Sequence, residues 1–192
     1  RAFALRMRGF GPANIIAHDP YVPQTTADLL GVQLVSLEEL LKQSDYVSIH
    51  TALTEETRHL INADTLKLMT PTAMLVKKSR GPVIDGDALA SALKSGTIEA
   101  AALAVTEVEP VESHDPLLSL PNVIVTPHLA GFSPTFLEEC PIRQAENIIR
   151  VLTGSAPWGL ANPDVIKTIA VLRGSDSSRW QGIPDFSSPI AT

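Results

Sequence analysis

Three polar residues have the side chains that reduction of a carbonyl group needs, and each follows a short apolar run: Arg80, Glu109 and His128. An arginine offers a planar fork to a carboxylate, and a histidine can protonate a carbonyl oxygen while a hydride reaches the carbon. A nearby carboxylate such as Glu109 would orient the ring and stabilise its charged form. Each residue alone is weak evidence, because surface arginines are usually solvated and the chain has four further histidines: His18, His50, His59 and His114.

Asp19 also ends an apolar run and precedes Pro20. In dinucleotide-binding folds, an acidic residue at the end of the second strand binds the adenine ribose and disfavours the extra phosphate of NADP, so Asp19 favours NAD. A simple turn is the alternative, because Asp-Pro is common where a strand stops. The glycine-rich phosphate loop, at its usual spacing, would end immediately before Arg1. We therefore expect residues 1–6 to continue the helix that would hold the pyrophosphate.

Short apolar runs alternating with helical patterns indicate how these residues are positioned. The runs at residues 14–18, 46–50, 73–76, 101–105 and 123–126 predict buried strands. Helices are predicted at residues 36–43, 85–96 and 138–152, the first with a Ser36/Glu39 capping box. This alternation predicts an α/β fold with a doubly wound parallel sheet, whose ligands bind beyond the carboxyl ends of the strands.

Composition restricts the functional classes. The 192 residues are 44% hydrophobic with a formal net charge of −6, and their mean hydropathy is +0.13. No run of basic residues exceeds Lys77–Lys78, so no nucleic-acid or anionic-membrane partner is predicted. The single Cys140, the lack of metal-type Cys/His spacing and the lack of a membrane-length apolar run predict a cytoplasmic protein without a metal site.

The residues of the motifs and their order along the chain resemble those of the D-isomer-specific 2-hydroxyacid dehydrogenase family, the phosphoglycerate dehydrogenase and hydroxypyruvate reductase group. The resemblance covers residues 1 to about 165. The matching motifs lie at residues 18–21, 36–41, 53–62, 79–81, 83–85, 107–110, 115–117, 120–123 and 126–131. So many matches in one order are highly specific.

The resemblance implies an NAD-dependent oxidoreductase that transfers a hydride between the nicotinamide and a small D-2-hydroxy acid or 2-keto acid. It implies that Arg80 binds the substrate carboxylate and carbonyl oxygen, that His128 is the general acid/base, and that Glu109 is its partner. Glu107 is the competing carboxylate, but the family places the catalytic one immediately before the proline. The implied cofactor-binding residues are Asp19, Thr51, Lys78, Ser79, Arg80, His128, Ala130 and Gly131.

The sequence departs from the family pattern at four positions. Ala104 replaces an aspartate that helps to hold the nicotinamide carboxamide, Lys77 replaces an asparagine, Pro82 a glycine and Ala52 a proline. Loss of the carboxylate at position 104 is expected to loosen the orientation of the nicotinamide, and small misplacements are costly in rate.

The predicted organisation is a piece of a longer enzyme, so turnover by these 192 residues alone is not expected. Residues 1–132 are expected to form the NAD-binding domain without its first strand and glycine-rich loop. Residues 133–153 would be a return helix of the substrate domain, with an exposed apolar face near Ile142, Ile148 and Ile149, and residues 154–192 a largely flexible tail. The full-length protein is expected to be a homodimer. Two rival functions are open, a non-catalytic NAD(H)-sensing corepressor-like protein and an inactive gene fragment.

Overall fold

Parallel strands organise the first of two units into which the chain divides after residue 130. The computed structural model describes residues 1–129 and 131–173, so the predicted cofactor residue Ala130 and residues 174–192 of the predicted tail lie outside the described residues. The strands of the first unit are β1 (Ile16–Ala17), β2 (Gln33–Leu34), β3 (Tyr46–Ile49), β4 (Met74–Lys77), β5 (Ala100–Leu103) and β6 (Val123–Val125).

The sheet topology confirms the predicted parallel α/β class. Strands β3, β4, β5 and β6 pair in sequential order, and β1 pairs with β2 in a separate two-stranded sheet. All five predicted strands are present, with no end shifted by more than two residues. The pattern did not predict β2, because two residues are too few to establish a periodicity.

Helices connect the strands, as parallel pairing requires. Helix α1 (Ala2–Met7) precedes β1. Between successive strands lie α2 (Gln24–Leu30), α3 (Leu37–Gln43), α4 (Ala63–Leu66), α5 (Gly86–Ser95) and, between β5 and β6, a short 3₁₀ helix (Pro116–Ser119). The predicted capping box of α3 is present, with Ser36 and Glu39 each bonded to the other's backbone N–H. Asp85 caps the start of α5 by accepting a hydrogen bond from Ala88, and Gly96 ends that helix in the left-handed conformation.

The core of the first unit lies where alternate strand residues meet the apolar faces of the helices. In β3, β4 and β5 every second residue is buried. Leu75 and Leu103 from the strands pack with Leu41 of α3 and Leu89 of α5, and all four are essentially inaccessible to solvent. Each Å² of apolar surface removed from water stabilises the fold by about 25 cal/mol, so this cluster is the main source of stability.

The strand register aligns the carboxyl ends that carry the candidate residues. Lys77 at the end of β4 pairs with Leu103 at the end of β5, and Leu103 pairs with Val125 at the end of β6. Because the strands are parallel and adjacent, the segments that follow β4, β5 and β6 leave the sheet along the same edge.

The second unit contains α6 (Pro134–Leu152) and α7 (Val165–Arg173). Helix α6 begins four residues before the predicted start, with Ser133 as its cap and a proline at its first position. Its residues Ile142, Ile148 and Ile149 are 59%, 61% and 59% exposed, as the pattern predicted for this face. No helix among the described residues combines the length and the apolar character that crossing a bilayer requires.

Candidate active site

The three predicted catalytic residues follow three neighbouring strands. Arg80 comes shortly after β4, Glu109 after β5 and His128 after β6. Since these strands pair in the order β4, β5, β6, Glu109 leaves the sheet between the other two residues. This edge is the ligand-binding edge of open α/β sheets.

Glu109 and His128 lie within contact of each other. The distance from His128 Nδ1 to Glu109 Oε1 is 3.5 Å, and both side chains are a little over two-fifths exposed. This separation is longer than a strong hydrogen bond, but catalytic hydrogen bonds are often long in the absence of substrate. The contact leaves Nε2 of His128 as the ring atom on the side away from the carboxylate. The arrangement suits a histidine that exchanges a proton while a carboxylate orients its ring.

Glu107, the competing carboxylate, makes other contacts. Its Oε1 lies 2.6 Å from His59 Nε2, and its Oε2 accepts a hydrogen bond of 2.8 Å from the backbone N–H of Gly86. Burial by itself would raise the pKa of Glu107, but the hydrogen bonds from Gly86 and His59 more than offset it, and the pKa is lowered. Glu107 thus joins the segment after β5 to the segment after β3 and to the start of α5, and the geometry favours Glu109 as the partner of His128.

The turn that carries Arg80 is held from several sides. The backbone N–H of Val83 donates to Arg80 O, and that of Ile84 donates to Gly81 O. Gly81 packs directly against the backbone of Thr106 and Glu107, and a Cβ built on Gly81 would lie 2.7 Å from Thr106 C and 2.9 Å from Glu107 Cα. Only glycine fits at this approach, so the segment after β4 and the segment after β5 are locked together.

The Arg80 side chain itself is exposed at this edge. Among the described residues it has no ion-pair or hydrogen-bond partner. A guanidinium that is not committed to a protein carboxylate is available to a carboxylate from solution, which it can bind through two parallel hydrogen bonds. Recognition of a small carboxylic acid requires a fixed turn and an arginine whose guanidinium is not already bound to a protein carboxylate, and Arg80 meets both conditions among the described residues.

Lys77 is a residue of this edge that sequence reasoning did not assign to the site. It is 2% exposed, and its Nζ donates a hydrogen bond of 2.9 Å to Gly81 O. Burial lowers the pKa of Lys77 to about 8, and the nearby carboxylates of Glu107, Glu109 and Asp115 oppose that shift. A signal was present in the sequence, because strand alternation places residue 77 on the same buried face as Leu75.

The predicted adenine-ribose residue Asp19 follows β1 and is exposed. Its Oδ1 accepts a hydrogen bond of 2.9 Å from the backbone N–H of Tyr21. This contact forms the local turn that was the alternative interpretation of the Asp-Pro pair. It occupies one carboxylate oxygen and leaves Oδ2 without a partner among the described residues, so the turn and ribose binding are compatible.

The other predicted cofactor residues of the first unit follow β3 and β4. Thr51 is half-buried after β3, and Lys78 is exposed after β4. Ile49 pairs with Lys77, so His50 and Lys78 follow the two strands at the same edge. Burial lowers the pKa of His50, and the positive charge of Lys78 lowers it further. Ser79 Oγ is buried and has no hydrogen-bond partner among the described residues. Gly131 is exposed and belongs to the second unit.

These features fit an NAD-type cofactor. Within the part of the chain that the structure describes, Asp19 has one carboxylate oxygen without a partner after β1, and Ser79 has a buried hydroxyl without a partner after β4. A buried hydroxyl without a partner costs about 1–3 kcal/mol, so such groups are expected where a ligand completes the site. In the described part of the chain, no group of three or more His, Cys, Asp or Glu side chains is placed to hold a metal ion.

Comparison with known proteins gives the family. Residues 1–130 match the model of the D-isomer specific 2-hydroxyacid dehydrogenase, NAD binding domain. The chain belongs to this dehydrogenase family. The predicted resemblance and the predicted cofactor type, NAD, are therefore confirmed at the level of the family. The predicted roles of the individual residues stay predictions.

Relatives in the dehydrogenase family differ in the acids that they are named for. The chain is 44% identical over 166 residues to a glyoxylate reductase of Korarchaeum cryptofilum, covering 86% of this chain and 50% of that protein. It is 42% identical over 158 residues to a D-3-phosphoglycerate dehydrogenase of Methanocaldococcus jannaschii, covering 82% of this chain and 30% of that protein.

A solved relative agrees in fold. The holo form of D-mandelate dehydrogenase from Rhodotorula graminis is similar with a TM-score of 0.73 and 33% identity, covering 82% of this chain and 47% of that one. The chain thus spans about half the length, or less, of the relatives that it matches.

Proposed function

We propose that this chain carries the cofactor-binding and proton-transfer residues of an NAD-dependent oxidoreductase that interconverts a small 2-keto acid and the corresponding D-2-hydroxy acid. The observation that supports this most directly is the contact of His128 Nδ1 with Glu109 Oε1. Glu109 follows β5, the strand next to β4, and β4 leads to Arg80, whose side chain has no partner among the described residues. Family membership supports the same chemistry.

The proposed division of labour follows from the chemistry of the side chains. NAD(H), when bound, supplies or accepts the hydride. The Arg80 guanidinium binds the substrate carboxylate and polarises the carbonyl oxygen, which develops negative charge as the hydride reaches the carbon. His128 donates a proton to that oxygen, and Glu109 keeps the ring oriented and stabilises its charged form. In the oxidation direction the same proton returns from the hydroxyl to His128.

The cofactor would be held along the strand ends. We infer that Asp19 Oδ2 accepts hydrogen bonds from the adenine ribose, since Oδ1 already holds the turn. Thr51, Lys78 and Ser79 would line the dinucleotide, and Ala130 and Gly131 would do so after β6. Ala104, at the end of β5, offers no carboxylate to a carboxamide. A homodimer and a cytoplasmic location stay predictions.

Turnover of glyoxylate tests the proposal, because several relatives are named as glyoxylate reductases. Joined to the predicted glycine-rich loop and substrate domain, the chain is expected to oxidise NADH, followed by its absorbance, when glyoxylate or another small 2-keto acid is added. His128→Asn should lower kcat by about 10²- to 10⁴-fold, the usual contribution of a general acid. Arg80→Lys should raise KM strongly, because a lysine cannot form the planar fork.

Matched controls separate site effects from general effects. His114→Asn removes an exposed histidine that also lies beside a glutamate, Glu112, and Arg58→Lys changes an exposed arginine outside the segments that carry Arg80, Glu109 and His128. Both variants are expected to behave like the parent chain. Binding of NADH without turnover of any 2-keto acid would contradict the proposal and favour the NAD-sensing alternative, whereas equal activity in Arg80→Lys would remove Arg80 from the site.

A further inference from the structure

Lys77 is a buried lysine whose presence the proposed chemistry does not yet explain. It ends β4 on the core-facing side and is 2% exposed. Removal of an ammonium group from water is costly, and apolar replacements of buried charges are often neutral or stabilising. A residue needed only to fill this space would therefore be better served by an apolar side chain, so the ammonium calls for a specific role.

The ammonium closes a turn. Lys77 Nζ donates to Gly81 O at 2.9 Å, and the chain between them consists of Lys78, Ser79 and Arg80. The first end of this turn is fixed by the strand, since the backbone N–H of Ala104 donates to Lys77 O. The second end is fixed where Gly81 packs on the backbone of the segment after β5. Lys77 thus joins the two anchored ends of the segment that carries Arg80.

Three carboxylates attract the ammonium of Lys77. Glu107, Glu109 and Asp115 all act on it electrostatically, and all three belong to the segment after β5. They partly offset the cost of burying the charge. Since Glu109 is also the residue beside His128, Lys77 both binds the turn that carries Arg80 and attracts the carboxylate that contacts the histidine.

We propose that Lys77 is a positioning residue for Arg80, whose ammonium fixes the 77–81 turn and so aims the guanidinium at the substrate. This inference rests on the proposed function of Arg80. A charged donor makes a hydrogen bond roughly twice as strong as a neutral one. When the ammonium loses its proton, the turn loosens, and catalysis weakens as the pH rises through the pKa of Lys77, about 8.

Two substitutions test the role of the ammonium in turnover. Lys77→Met keeps the length of the side chain but removes the donor and the charge, and Lys77→Gln keeps a neutral donor. Lys77→Met is expected to lower kcat/KM for the keto acid by about 10- to 100-fold at neutral pH, because a misplacement of about 1 Å has that effect. Because all three proteins need the proton of His128, the test is the ratio of kcat/KM in the parent to kcat/KM in each variant. This ratio should fall as the pH rises, with a midpoint near pH 8.

A second measurement does not depend on turnover. In ¹⁵N-labelled chain, the backbone amide signals of residues 78–81 should shift with pH, with a midpoint near 8. These shifts should vanish in Lys77→Met and Lys77→Gln. Lys94→Met, which removes an exposed lysine of α5, should leave both the amide shifts and kcat/KM unchanged.

The outcomes separate this inference from the proposed function. The positioning role is refuted if the amide signals of residues 78–81 in both Lys77 variants shift with pH as they do in the parent. It is also refuted if kcat/KM of the variants and its pH profile match those of the parent. If the parent chain has no turnover but the amide shifts depend on Lys77, the proposed oxidoreductase function fails while closure of the turn by Lys77 stands. If Lys77→Met does not fold, the positioning role is tested by Lys77→Gln and by the pH dependence of the amide signals of residues 78–81 in the parent.

Discussion

Replacement of Gly81 by alanine tests how tightly the Arg80 turn is held. A Cβ at this position would lie 2.7 Å from Thr106 C and 2.9 Å from Glu107 Cα, and closer still to Thr106 O. Carbon atoms in contact normally lie about 3.5–4.0 Å apart, so one of the two segments must move by roughly 1 Å. All three neighbouring atoms belong to the backbone, so no side chain can swing away to relieve the overlap.

The expected cost follows from that displacement. Overpacking of a well-packed region typically costs about 1–3 kcal/mol, and the upper end applies here because the backbone itself must shift. For a chain of this size, a loss of about 3 kcal/mol lowers Tm by roughly 6–12 °C. Because the displaced turn carries Arg80, kcat/KM should fall by about a hundredfold at temperatures where the variant is still folded.

Thermal unfolding and steady-state turnover of Gly81→Ala check both expectations. Gly9→Ala is the matched control, since a Cβ at Gly9 meets no atom within 4 Å and the backbone there does not need positive φ. This control should change the free energy of unfolding by no more than about 0.5 kcal/mol. A Gly81→Ala variant with the Tm and the turnover of the parent would refute the close packing of the two segments.

Two further substitutions probe how the edge and its helices are stabilised. Ser36→Ala removes the cap of α3 and should lower the free energy of unfolding in urea by about 1 kcal/mol. The control Ser91→Ala, on the exposed face of α5, should change it hardly at all, and equal losses would contradict the capping contribution. Glu107→Gln should cost about 1 kcal/mol at pH 7, because the ionised carboxylate accepts hydrogen bonds from Gly86 and His59. The pKa of Glu107 is lowered in the folded chain, so its stabilisation is complete above its ordinary value of 4.5 and is lost as the pH falls through the folded value. A difference between parent and variant that persists well below pH 4.5 would contradict this account.

Local sequence signals predicted the elements well. The capping box fixed the start of α3, and an aspartate and a glycine marked the two ends of α5. Helix α6 was predicted too short at its start, because its apolar spacing begins after the Ser-Pro pair at residues 133–134 that caps it. Capping chemistry is therefore a better guide than apolar periodicity at the first turn of this helix.

Contacts between distant segments could not be predicted in the same way. Parallel strand order brings the segments after β5 and β6 together, and this places Glu109 beside His128. The pairing of His59 with Glu107 depends on how two loops meet, and no spacing in the sequence encodes that meeting. The burial of Lys77 follows from strand alternation, but its bond to Gly81 follows only from the shape of the turn.

The sequential order of β3 to β6 also bears on the order in which this edge assembles as the chain folds. The bond that closes the Arg80 turn joins residues four positions apart, so it can form as soon as the end of β4 is ordered. The contact of Glu109 with His128 requires β5 and β6 to pair, which must follow closure of the intervening loop. Under the proposed function, recovery of turnover during refolding should therefore lag behind protection of the β4 amides from hydrogen exchange, because the contact of Glu109 with His128 is among the last parts of this edge to assemble.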